Sequence, residues 1–161
     1  RDFGYSATII GLYMSIRGFV SMTFRFFMGR LVRLAGGTFP ALIASLFILA
    51  AGIGTTPFCR GALMLTANAV LVGIGLGMAL PLSMATVSEG TNREDRGVAM
   101  GIRLTGNRLA QLINPVFFGT IAQGFGLAAS FVSGGIMLFG STLPILFWWR
   151  GEKHRRREGR F

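Results

Sequence analysis

Four polar residues stand out in a chain otherwise short of them: Arg103, Asn107, Gln111 and Asn114, spaced 4, 4 and 3. On a helix advancing about 100° per residue they fall within about 80° of one another, one polar stripe with Arg108 on its flank. A second set, Tyr13, Arg17, Ser21 and Arg25, recurs every four residues and shares a sector of its own helix. Guanidinium and amide groups offer donors to oxygen acceptors, and a guanidinium stays a cation at any working pH. The chemistry within reach is recognition of a polar or anionic group, not bond cleavage. No Ser/His/Asp or Cys/His set accompanies them, since the one histidine, His154, sits in a basic tail and the one cysteine is Cys59. A single cysteine allows no internal disulfide, and no ligand spacing suits a metal. Neither a catalytic activity nor a cofactor is expected.

The medium around these residues follows from composition. Of 161 residues, 52% are hydrophobic, 14% are charged and 24 are glycine, and the mean hydropathy is +0.59. A soluble domain of this length carries nearer a quarter charged residues, spread over its surface. Here they are bunched, leaving bare runs from Leu34 to Cys59, Gly61 to Ser88 and Leu109 to Trp149, of 26, 28 and 41 residues. Each is at least one bilayer crossing of about 20 residues. The net charge of +10 would suggest nucleic acid in a soluble chain. On a membrane chain it sets orientation and touches anionic headgroups, so no nucleic-acid partner is expected.

Five spans result, at about residues 3–28, 38–55, 61–86, 97–123 and 128–149, followed by a basic tail, 150–161. The runs are too long and too uniformly apolar for a membrane barrel, so the fold class is all-α and integral to the membrane. A basic turn from Gly29 to Gly37 ends the first span, Thr55-Thr56-Pro57 makes a hairpin after the second, and Ser88 to Arg96 must lie in water. Ten bases fall on the side of the tail and two, Arg1 and Arg60, on the other. The positive-inside rule then puts the tail in the cytosol, with Trp148 and Trp149 as an interfacial anchor. Gly73-x-x-x-Gly77 and Gly97-x-x-x-Gly101 should let neighbouring backbones approach closely, and Pro81 and Pro115 should kink their helices. The run Gly73-Ile74-Gly75-Leu76-Gly77 is no dinucleotide loop, because it lies inside an apolar span with no preceding strand.

Against that background several polar groups are out of place. Arg17 lies roughly 18 Å into its helix, near the middle of a ~30 Å hydrocarbon core. A cation there costs at least about 2.5 kcal/mol, so it should face protein, a partner or water. Arg25 is close enough to the helix end to snorkel. The stripe of the fourth span reads in two ways: as interhelical hydrogen bonding that holds the bundle, or as the lining of an aqueous solute path. Asn68 stands alone in the third span. The six acids, Asp2, Glu89, Glu94, Asp95, Glu152 and Glu158, all fall outside the spans. Counter-charges for the arginines would come from a part not in this chain or from an anionic solute.

The chain resembles the carboxy-terminal half of a bacterial major facilitator superfamily (MFS) transporter, its five spans standing as helices eight to twelve. The resemblance is carried by Gly29-Arg30-Leu31-Val32-Arg33-Leu34-Ala35-Gly36, by Pro81-Leu82-Ser83, by Arg96-Gly97-Val98-Ala99-Met100-Gly101, and by Asn107 onward to Asn114-Pro115-Val116-Phe117-Phe118-Gly119. It covers nearly the whole chain apart from the tail. Where the family's cytosolic turn has an acid, Arg33 stands instead. Asn114-Pro115 stands where the signature of the family's first half would have Gly-Pro, which favours helices eight to twelve over two to six, the alternative that fits the same topology and tail.

The resemblance implies a secondary transporter of a small solute in the bacterial inner membrane, whose two six-helix halves rock about a midplane site. It implies that Gly29, Arg30, Arg33 and Gly36 form a cytosolic gating turn. Arg17, Ser21, Asn68, Arg103, Asn107, Arg108, Gln111 and Asn114 would face the solute path. The partners implied are a solute, anionic if it neutralises the arginines, membrane lipid, and a missing amino-terminal half. A chain with five helices is then expected to be a fragment of the transporter. The competing reading is a non-transporting scaffold subunit whose stripe meets a partner helix.

Overall fold

The computed structural model describes residues 7–59 and 61–158. Among them the fold is all-α: α1 (Ala7–Ala35), α2 (Thr38–Thr55), α3 (Ala62–Glu89), α4 (Arg96–Phe125) and α5 (Leu127–Glu158), with a 3-10 turn at Thr56–Phe58. The helices match the five expected spans in number and order. Their ends differ, because hydrogen bonding does not stop where hydropathy does. The α1 helix runs to Ala35, so residues 29–35 are helical and the turn shrinks to Gly36-Gly37. The first residues of the tail continue α5 as far as Glu158. Residues 1–6, Arg60 and the side chains of Trp148, Trp149 and the tail lie outside what is described.

Each helix end has a physical cause. At the close of α1 the Gly36 N–H donates to the Arg33 carbonyl (3.2 Å) and the Gly37 N–H to the Val32 carbonyl (3.0 Å). This is the paired bonding of a Schellman cap, which needs a left-handed residue, and Gly36 has φ 78°. Gly126, at φ 88°, makes the equally tight reversal between α4 and α5. The second helix ends at Thr55, where Thr56 and Pro57 turn the chain into a 3-10 segment.

The third helix is the hub, packed between α1 and α2, while α2 packs on α5 and α5 on α4. Close approach is paid for with glycine. A Cβ on Gly73 or Gly77 would lie 2.8 Å from the Arg17 carbonyl oxygen and 2.6 Å from that of Ser21, and one on Gly75 would lie 2.7 Å from the Leu49 Cβ. Three alternate glycines thus accept α1 on one face of α3 and α2 on the other. Gly135 repeats the device between α5 and α2, where its Cβ would come 2.8 Å from the Gly54 Cα. The expected pair Gly97 and Gly101 does not, having nothing within 4 Å. Spacing alone cannot tell a glycine that is covered from one that is not.

Ala41, Met78 and Leu82 form the buried core toward the end where α1 closes, with Phe24, Met28 and Leu31 packed on it. Among the described residues, three helices are long and apolar enough to cross a membrane by length and composition, within Thr38–Phe58, Ala62–Glu89 and Leu127–Phe147. The other two, α1 and α4, are 29 and 30 residues long and carry arginines between their ends, Arg17 and Arg25 in one and Arg103 and Arg108 in the other. Phe19, Phe26, Leu63 and Ile102 are at least 70% exposed, a surface suited to lipid and not to water.

Candidate functional site

Asn68, in the second turn of α3, is 2% exposed. Its Nδ2 donates to the Gly52 carbonyl (2.7 Å) and to Thr55 Oγ1 (3.1 Å), and its Oδ1 accepts from the Tyr13 hydroxyl (3.2 Å) and Thr56 Oγ1 (3.3 Å). Two donors and two acceptor contacts use up the amide. One side chain therefore ties α1, α2 and the 3-10 turn to α3. An amide left unpaired in such surroundings would cost more than these bonds return, which is why the knot closes completely.

One helical turn beyond Tyr13, Arg17 lines a cavity of about 450 Å³. The cavity lies among α1, the 3-10 turn, the start of α3 and the start of α5. Its walls are mostly apolar, from Met14, Ile53, Leu65, Val72, Leu127 and Phe131, with Tyr13, Thr56 and Cys59 between them. Arg17 is half-buried, and its position is fixed from behind, since its own backbone is pressed on Gly73. None of the described acids pairs with it: Glu89 lies 21 residues beyond Asn68 on α3, about 30 Å away along the helix, and accepts from Thr38 Oγ1 at 2.8 Å. The Cys59 thiol donates to the Thr55 carbonyl at 3.4 Å, and burial pushes its pKa above the usual thiol value.

The stripe on α4 is built differently. Arg103 is half-buried and reaches across to α3, its Nε donating to Ser83 Oγ (3.0 Å) and its Nη2 to the Leu80 carbonyl (3.4 Å). These acceptors flank Pro81, inside α3. Arg108 Nη1 donates to Gln111 Oε1 (3.1 Å) along the same helix face. Asn107, Arg108, Gln111 and Asn114 are exposed, and α4 has no buried residue.

The structure therefore joins Tyr13, Arg17 and Asn68 at one end of the bundle and leaves the α4 stripe on a separate, open face. Ser21 is half-buried with its backbone against Gly77, and Arg25 is exposed. Of the expected gating turn, Gly29, Arg30 and Arg33 belong to the last turns of α1, where Arg33 Nε donates to the Gly29 carbonyl at 3.3 Å, and only Gly36 is in the turn itself. Sequence reasoning missed Thr55, Thr56 and Ser83 as partners. Tyr13 carried a signal, its place on the arginine's sector, whereas threonines at a hairpin look like any other turn.

A sequence model of the Major Facilitator Superfamily matches residues 1–160. No curated protein matches the chain, and no solved structure does. An all-α bundle with an apolar outer surface, arginines held inside helices and this match over almost its full length lead to one assignment: the chain belongs to the major facilitator superfamily, a family of multi-pass membrane transporters.

Proposed function

We propose that the chain serves secondary active transport of a small solute across a bacterial inner membrane, as helices eight to twelve of a two-half transporter. In this reading the tail is cytosolic, and an amino-terminal half lies against the open face formed by the α4 stripe. Arg17 holds the solute in its cavity at one end of the bundle, with Ser21 one turn further along α1, and Asn107, Arg108, Gln111 and Asn114 line the path where the α4 face meets that half, with Arg103 bonded back to α3. Asn68 acts as the latch at the end of that path, and the segment Gly29, Arg30, Arg33 and Gly36 is the cytosolic hinge contact.

The observation that carries the reading is Arg17, a guanidinium inside a membrane helix that lines a cavity and pairs with no described acid. A cation inside a membrane helix without a protein counter-charge is expensive, and a site that keeps one has a use for it. Solute flux through the intact protein in membrane vesicles is the test. Arg17→Gln removes the charge while keeping a polar side chain, and should lower flux by at least about tenfold, the factor that corresponds to about 1.4 kcal/mol. Unchanged flux would take Arg17 out of the transport cycle.

A further inference from the structure

Which solutes the cavity can accept depends on the hydrogen-bond donors it has left. The Tyr13 hydroxyl is already given to Asn68 Oδ1, the Thr56 hydroxyl to the Gly52 carbonyl (2.9 Å) and to Asn68, and the Cys59 thiol to the Thr55 carbonyl. Among the described lining residues, the Arg17 guanidinium is the side chain with donors uncommitted. The other side chains that line the space are hydrocarbon or already hydrogen-bonded.

A sugar or other polyol would therefore leave most of its hydroxyls against apolar walls, each at a cost. A dianion would meet one positive charge and bring a second, uncompensated one into a poorly solvated site. A single planar anionic group on an apolar body meets neither penalty: guanidinium binds a carboxylate through two parallel N–H···O bonds, and the body fills the remainder. The volume, about 450 Å³, lies within the range of roughly 300–1,000 Å³ common for small-molecule pockets, enough for a ring-bearing carboxylate.

We propose that this cavity is a binding site for a small amphipathic organic monoanion, its carboxylate on Arg17 and its apolar body between the 3-10 turn and the start of α5. The proposal rests on the transport reading above for its biological meaning and names the substrate class at that same site. It also stands apart in its test, because Cys59 lines the cavity and is the chain's one cysteine. Occupancy should shield that thiol whether or not anything is carried across the membrane.

The experiment uses the intact protein in membrane vesicles, an uncharged maleimide, and mass spectrometry of the peptide that carries Cys59. Benzoate is the probe, with benzamide as its neutral counterpart and inorganic phosphate as an anion without an apolar body. At about ten times its dissociation constant, benzoate should slow labelling about tenfold by simple occupancy. Benzamide and phosphate should leave the rate unchanged. Arg17→Gln should abolish the protection while its unprotected labelling rate matches the parent, the sign that the fold is intact, and Arg17→Lys should retain part of it. The proposal is overturned if benzoate gives no protection, if benzamide protects equally, or if protection survives in Arg17→Gln. Flux measured on the same vesicles separates the two readings. Lost flux in Arg17→Gln without benzoate protection sinks the substrate class alone, whereas Arg17-dependent protection with unchanged flux keeps the site and sinks its transport role.

Discussion

At the scale of single residues, Asn68 and Arg17 are opposites that sit close together. The amide is saturated by protein and the guanidinium is left for something else, although from sequence both are lone polar residues in apolar runs. What divides them is the neighbourhood supplied by other segments: Thr55 and Thr56 come from the end of α2, and Tyr13 from α1. Asn68→Ala should lower the stability of the bundle by about 1–3 kcal/mol, read from unfolding in detergent. The loss is expected to stay in that range because the Gly52 carbonyl keeps the Thr56 hydroxyl at 2.9 Å, so the vacated partner group that matters most is the Tyr13 hydroxyl. A variant as stable as the parent would make the knot incidental.

Among the elements, the helices themselves were legible because basic residues and glycine turns bracket long apolar runs. Their neighbours were not. In lipid, a side chain facing hydrocarbon and one facing another helix are equally apolar, so the amphipathic contrast that orients helices in water is missing. Two Gly-x-x-x-Gly pairs with the same spacing accordingly have opposite fates. Gly77→Ala would drive a methyl to 2.6 Å from the Ser21 carbonyl oxygen and 2.9 Å from its Cα, atoms of a backbone that cannot turn aside. It should destabilise the α1–α3 contact by about 1–3 kcal/mol. Gly101→Ala, with open space around it, should instead stabilise by about 0.5–1 kcal/mol through helix propensity. Thermal unfolding of the two variants side by side checks the difference in sign. The polar stripe on α4 was legible for a related reason: it departs from apolarity, and periodicity then fixes its face, whereas Ser83, the partner of Arg103, stands on another helix and gave no pattern of its own.

For the molecule as a whole, family and fold class were legible and the assembly of the site was not. The sequence expectation put the polar sectors of the first and fourth spans around one chamber. In the structure Arg17 lines its cavity while Asn107, Gln111 and Asn114 are exposed elsewhere. Whether that exposed face meets water or protein distinguishes a transporter half from a scaffold subunit. Gln111→Cys and Asn114→Cys, labelled in membranes with a water-soluble thiol reagent, should both react if the stripe borders an aqueous path. Protection of both would favour a partner helix lying over them.

The uneven spread of arginines among the five helices also bears on how the chain is made. The segments within α2, α3 and α5 can partition from the translocon into lipid on their own hydrophobicity. Neither α1 nor α4 can do so as cheaply, because each carries guanidinium groups inward of its ends. Packing in the slots at Gly73 and Gly77 sets the α1 backbone at Arg17 and Ser21 directly against α3, so that helix meets protein and not lipid along this face.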